Sequence, residues 1–286
     1  MGRNKEDSKT ASCYTDEHLY KLQHLWNMRH PDAKIRSNDP KKIREELQKH
    51  LNSVCSTEAC WLRQKFVDNS TAKQILKTAF APEAPKSWKK NPAEWLSSVD
   101  IEKVMIQFEK SYPCFAFIGP SPIDYDTHMA YGECVWEELC KFDLESFVKK
   151  DKFKIGIIFN LDPHYKPGSH WVSLFINLRK GYIFYFDSGG DKAPKEVLRL
   201  VDTVVKQGKA LGLDLKYIEN TRGHQKEDNE CGMYSLYAIA EQLRDSKHPA
   251  EFLHGGEITD HSMHLMRARF FSEPDSLSGK SVQRKA

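Results

Sequence analysis

No run of apolar residues in the 286-residue sequence approaches the ~18 that a membrane-spanning helix requires, so none is expected. Charge of one sign is scarce too. The 43 basic and 40 acidic side chains leave a formal net charge of +3, too little to argue for nucleic acid as a partner. Basic residues do crowd into the first 50 positions and the last eight, which leaves a weak contact with a polyanion open through the termini. Met1 to Asp7 contain no apolar core of a signal peptide. Glu6 stands where N-myristoylation after Gly2 needs Ser or Thr. These absences predict a protein kept in a reducing, intracellular compartment. Its seven cysteines (13, 55, 60, 114, 134, 140 and 231) show no compact disulfide spacing. Cys55 and Cys60, with His50 nearby, have a spacing zinc tolerates, but no second pair completes a site. Free thiols, no metal and no cofactor are therefore expected.

What is present is an ordinary globular composition, 40% hydrophobic and 29% charged, in a chain long enough for one large domain or two smaller ones. Residues up to about 38 are polar with scattered aromatics and read as short helices. Pro40 opens a helix with Ile43, Leu47 and Leu51 on one stripe, and another is expected through Trp61, Leu62 and Phe66. The proline-rich stretch Ala81–Lys86 marks a boundary. This divides the chain into a helical N-terminal region (1–85), a core (86–272) and a tail (273–286) without apolar periodicity, expected to be disordered. Within the core, a serine-capped helix carries Ile101, Val104, Met105 and Phe108 on one face. Strands are expected at Lys154–Leu161, His170–Leu178, Tyr182–Asp187 and Leu213–Ile218, with a helix through Val197, Val201, Val204 and Val205 before the last. The fold class is α+β.

Cys231 opens the apolar run Gly232 to Ala240, whose spacing is that of a buried helix. A helix start favours a thiolate. Gly232 lets a substrate backbone come close. Glu227 to Glu230 oppose a thiolate, and the reading requires their side chains to face solvent. A hairpin turn at Arg179-Lys180-Gly181 would bring His170 level with Asp187 at one open end of the sheet. Asp162 and Asp191 are the less favoured alternatives, since both fall in loops outside that pairing. A thiol nucleophile needs a base, a carboxylate to orient the base and donors for an oxyanion. His170, Asp187 and Gln225, which stands six residues before Cys231, supply those parts.

His170-Trp171, then Asp187 seventeen residues on, then Gln225 and Cys231-Gly232, resemble the pattern of the Ulp1-like and adenain-like cysteine peptidases of clan CE. Trp95-Leu96 resembles that family's Trp-Leu entry motif. Cys55 to Trp61, Phe117 to Asp124 and Arg222 to Gln225 further resemble the thiol proteases of nucleocytoplasmic large DNA viruses, relatives of the African swine fever virus polyprotein protease. The resemblance implies a mixed sheet flanked by helices, with the cysteine at a helix N-terminus and a helical N-terminal region in front. It implies Cys231 as nucleophile, His170 as acid–base, Asp187 as its orienter and Gln225 as oxyanion donor. Trp171 and Trp95 would wall a slot too narrow for branched side chains.

The implied activity is cleavage after small residues, Gly-Gly-X in kind, processing viral structural precursors during virion maturation in the host cytoplasm, virus factory or virion. The alternative is an isopeptidase acting on ubiquitin-like or SUMO-type conjugates. Acyl transfer from acetyl-CoA is disfavoured by Asp187, because clan members with that activity usually carry Glu there. A catalytically idle binding module would normally have lost one of these residues. The partner is a protein substrate, viral polyprotein or ubiquitin-like conjugate. The N-terminal region reads as a docking arm, an autoinhibitory segment or a support for the groove.

Overall fold

The computed structural model describes residues 14–55, 58–79 and 81–272, which divide into two compact units at Pro82/Glu83. The tail from 273 expected to be disordered, and the first thirteen residues, lie outside the described residues.

The first unit is helical, with α1 (Asp16–Arg29), α2 (Pro40–Leu51), the single turn α3 (Glu58–Trp61) and α4 (Asn69–Ala79). From Asp16 to Arg29 the described chain is one helix rather than several short ones, and Thr15 and His18 form a capping box at its N-terminus. Leu19, Leu22 and Trp26 then face inward. Asp39 caps α2 through Lys41 N–H, and Ile43, Leu47 and Leu51 are buried as the stripe predicted. The helix expected through Phe66 stops at Trp61, and Leu62 and Phe66 reach the core from turns instead. Cys55 and Cys60 are not free thiols but a disulfide, with the Gln64 side-chain N–H against both sulfurs. His50 stacks on Trp26 rather than approaching them.

The second unit is built on a five-stranded mixed sheet, in the order β1 (Phe115–Pro122), β2 (Lys154–Asn160), β3 (Trp171–Asn177), β4 (Tyr182–Phe186), β5 (Lys216–Glu219). The outer pairings are parallel and the two central ones antiparallel. Both faces are covered. In β4 the side chains alternate, with Tyr182, Phe184 and Phe186 in one core and Ile183 and Tyr185 in the other. The first core is closed by α5 (Ser98–Ser111), α9 (Cys231–Leu243), α10 (Pro249–His254) and α11 (Asp260–Phe270). The second is closed by α6 (Glu137–Cys140), α7 (Leu144–Lys149) and α8 (Lys195–Ala210). A helix buried all round, as α9 is from Cys231 to Ala240, has no polar face to give up and belongs in the centre of such a unit.

β1 escaped the sequence reading because Gly119-Pro120-Ser121-Pro122 carries turn signals. It is an edge strand, where a proline removes no ladder bond that matters, and its register breaks between Ile118 and Ser121. The last strand begins at Lys216 rather than Leu213; Leu215 instead packs into the α8 side. Cys134 and Cys140, also expected to be free, form a second disulfide, leaving Cys114 and Cys231 as the free cysteines among the described residues.

The distance between sheet and α9 is set at Gly156. A Cβ there would stand 2.9 Å from the Phe115 ring and 3.2 Å from Ile239 of the helix. Gly156→Ala is expected to destabilise the protein by ~1–3 kcal/mol. Phe115→Leu in the same chain should return part of the loss, as read by urea unfolding. A neutral single substitution would mean the helix sits further from the sheet than described.

Candidate active site

The antiparallel register Ser173↔Phe186 places the start of β3 beside the end of β4. His170 and Asp187 are the residues immediately outside those ends, so the hairpin turn at Gly181 brings them together. His170 Nε2 is 2.8 Å from Asp187 Oδ1. Asp187 is 1% exposed, and the same oxygen accepts the Gly189 backbone N–H at 2.8 Å. Asp162 lines a groove nearby and Asp191 lies beyond the turn, so neither takes this place. With Nε2 engaged, Nδ1 is the remaining ring nitrogen, and Cys231 lies close enough to act on the charge of the ring.

Cys231 is 1% exposed and is the first residue of α9. The first-turn N–H groups of a helix have no intrahelical acceptor and carry partial positive charge there. Burial pushes the His170 imidazolium toward deprotonation. Hydrogen bonds to Asp187 and Cys231, with the charges of both, overcome this and raise its pKa to about 10. The imidazole is therefore held as a cation at neutral pH, paired with the Asp187 carboxylate.

The acidic stretch before Cys231 is handled differently from the expectation. Glu227 and Asp228 are exposed, but Glu230 is 2% exposed, buried against Arg267. Arg267 Nε lies 3.1 and 3.0 Å from the two carboxylate oxygens, and His264 Nδ1 is 3.3 Å from Oε1. A buried carboxylate beside the thiol is thus neutralised by a cation rather than by water. Arg267 also donates to the Glu94 carbonyl at 2.8 Å and lies over the Trp88 ring. Nothing in the spacing of the sequence joins Arg267 to Glu230. A basic residue on the last helix was the available signal, and it was indistinguishable from a solvated one.

Gln225 sits on a loop fastened to the turn after Asp187. Its backbone N–H and that of His224 both donate to the Ser188 carbonyl, at 2.9 and 2.8 Å. Gly190 has φ +82°, and a Cβ there would come within 2.6 Å of the Arg222–Gly223 backbone, so only glycine lets these segments meet. Asn220 is buried and donates to the Asp187 and Arg222 carbonyls at 2.6 and 2.9 Å. His224 is also fully buried, between the Ile258 N–H and the Phe252 carbonyl, and burial lowers its pKa, keeping it neutral. The Gln225 side chain accepts from Ser188 Oγ at 2.6 Å and donates to the Glu227 carbonyl, which leaves the amide a second N–H.

Trp171 and Trp95 both line a groove of about 660 Å³, with Leu96, Pro120, Trp136, Asn160, His164 and Gly168 among its other walls. Trp171 is buried and its indole N–H donates to the Leu96 carbonyl at 2.9 Å, while Trp95 is 47% exposed. Gly232 serves this wall rather than opening onto it. A Cβ there would meet Leu96 Cβ at 2.9 Å, so the glycine admits Leu96. Among the described residues no helix is long and apolar enough to cross a membrane.

Residues 100–281 match the profile of the Ulp1 protease family, C-terminal catalytic domain. A thiol protease of Acanthamoeba polyphaga mimivirus is 27% identical over 262 residues, covering 85% of this chain and 83% of that protein. A cysteine protease of African swine fever virus is 27% identical over 253 residues, covering 81% and 89%. The protein of another isolate of that virus, named a SUMO-1 cysteine protease, is 26% identical over 267 residues, covering 87% and 93%. The crystal structure of an African swine fever virus protease aligns with a TM-score of 0.63 at 20% identity, over 96% of this chain and 94% of that one, which shows a shared fold.

Two outcomes follow from the charges. Arg267→Met leaves Glu230 buried with only the His264 imidazole beside it and is expected to cost ~3–5 kcal/mol. Adding Glu230→Gln should restore most of that stability, and additive losses would mean the pair is not coupled. The second concerns pH. Because the folded His170 pKa of about 10 lies above the ordinary 6.5, its charge contributes stability that is full below pH 6.5 and is lost as pH rises through about 10. Urea unfolding should show the advantage of the wild type over His170→Gln shrinking across that window. An advantage that grows with pH would contradict the ion pair.

Proposed function

The chain belongs to the Ulp1 protease family of cysteine proteases, and from that membership we propose that it is an endopeptidase cleaving after small residues, Gly-Gly-X in kind, that processes viral structural precursors during virion maturation. The observation that carries the reading is the His170–Asp187 bond with Cys231 beside the ring at the first turn of a buried helix, next to a tryptophan-lined groove.

The Cys231 thiolate attacks the scissile carbonyl carbon, and the carbonyl oxygen takes the negative charge. The Cys231 backbone N–H and the second N–H of the Gln225 amide stabilise that oxyanion; the loop bonds to Ser188 hold the amide in place beforehand. The imidazolium of His170 gives its proton to the departing amine, leaving an acyl group on sulfur. A water then attacks the thioester carbonyl as His170 takes its proton, and collapse releases the acid and restores the thiolate–imidazolium pair. Asp187 keeps Nε2 occupied throughout, so Nδ1 always faces the sulfur. Trp171, fixed by the Leu96 carbonyl, and Trp95 narrow the groove against branched side chains, which favours glycine there.

The mimivirus and African swine fever virus relatives support a viral context, in which the work would fall in the host cytoplasm, virus factory or virion. A relative named a SUMO-1 cysteine protease favours a second reading, hydrolysis of ubiquitin-like conjugates. Both substrates present an extended tail of small residues to the same chemistry, so the substrate panel separates them.

A fluorogenic Gly-Gly-X peptide should be turned over by the wild type and not by Cys231→Ser or His170→Ala. Gln225→Ala should lower kcat by roughly 10²–10³-fold, the scale of losing one oxyanion donor. Turnover of a ubiquitin-like conjugate alone would replace precursor processing with deconjugation. Peptide turnover surviving in Cys231→Ser would remove the thiol mechanism.

A further inference from the structure

The segment between β1 and α6 folds into a small two-stranded ladder. Met129 N–H donates to the Glu133 carbonyl at 2.7 Å, Val135 N–H to Thr127 at 3.0 Å and Trp136 N–H to Tyr125 at 3.0 Å. The ladder sets His128 directly across from Cys134 in an antiparallel bridge. The turn of α6 then returns Cys140 to the same place, where its sulfur bonds Cys134. His128 Nε2 is 3.9 Å from Cys134 Sγ, and one donor atom from each of His128, Cys134 and Cys140 lies within 4.8 Å of the others. Cys134 is buried, Cys140 half-buried and His128 exposed.

A disulfide needs no third group, yet an imidazole nitrogen is held against this one by the backbone on the opposite strand. We propose that His128, Cys134 and Cys140 form a binding site for a soft divalent cation of the zinc type, and that the disulfide is its oxidised, metal-free form. Two thiolates and an imidazole are the donor set that selects zinc over calcium or magnesium. Tetrahedral coordination at the usual bond lengths separates donor atoms by about 3.3–3.8 Å, close to the His128–Cys134 distance already present. Opening the S–S bond lets the two sulfurs reach that separation, and a water completes the fourth position.

The conversion balances with a low-molecular-weight thiol as reductant. Two such thiols give up two electrons and two protons to the disulfide, becoming a disulfide themselves and leaving Cys134 and Cys140 as thiols. The cation then displaces both protons and takes the thiolates and the His128 nitrogen. Val135 and Trp136, which line the groove, follow Cys134 directly. Either closed form, disulfide or metal, therefore ties down one wall of that groove, while the reduced, metal-free form releases it.

The test uses the full-length protein carrying Cys55→Ala, Cys60→Ala and Cys231→Ser, so that neither the thiols of the first disulfide nor Cys231 can take metal. It is reduced with a phosphine under anaerobic conditions and titrated with Co²⁺ as an optical probe, followed by displacement with Zn²⁺. One equivalent of Co²⁺ should bind, with a thiolate-to-cobalt charge-transfer band and tetrahedral d–d intensity that Zn²⁺ removes. His128→Ala, an exposed change, should weaken Co²⁺ binding by at least roughly tenfold, the scale of losing even an outer partner of a metal ligand. Oxidised protein should not bind. A reduced protein without the thiolate band would overturn the site. So would a band that survives Cys134→Ser with Cys140→Ser, or one left unchanged by His128→Ala.

Discussion

The charge balance around the first turn of α9 is the constraint on which the rest of the structure depends. Two carboxylates lie close to the Cys231 sulfur: Asp187 through the ring of His170, and Glu230 directly before Cys231 in the chain. Left alone in a buried setting, they would drive the thiol to stay protonated. Two cations and a helix terminus oppose them. His170 carries one charge between Asp187 and Cys231, Arg267 carries another against Glu230, and the open N–H groups of α9 add their partial positive charge. Burying Glu230 with its own cation is what makes an acid tolerable beside this thiol.

The second consequence of that balance is mechanical. Arg267 reaches past Glu230 to the Glu94 carbonyl, and two residues on, the Leu96 carbonyl accepts the Trp171 indole N–H. Trp171 is the neighbour of His170, and its carbonyl accepts the hydroxyl of Ser235, one turn into α9. The loop of hydrogen bonds thus joins α9, the groove wall and the strand that follows His170. Gly232 lets Leu96 close the circuit by direct packing. The chemistry and the specificity of the proposed enzyme are consequently held by the same few contacts.

Much of this was legible in the sequence where local rules act. The strand pattern around His170 and Asp187, the hairpin at Gly181 and the helix after Cys231 all rest on short-range periodicity, and the structure has each of them. The parts that escaped depend on residues far apart in the chain. Glu230 and Arg267 are thirty-seven positions apart, and neither carries a local sign of its partner. β1 is written in turn-forming residues because an edge strand tolerates them. The cysteine pairs were missed because neither spacing is characteristic; it is the short ladder that carries Cys134 and the turn of α6 that bring the second pair together.

The central claim is that Cys231 is a nucleophile because His170 holds it as an ion pair. An electrophilic peptide ending in Gly-Gly with a vinyl sulfone in place of the scissile bond, followed by intact-mass and peptide mass spectrometry, tests that most directly. The account predicts a single adduct, located on Cys231, that does not form in His170→Ala. An adduct on Cys114, or labelling of Cys231 at an undiminished rate without His170, would contradict it.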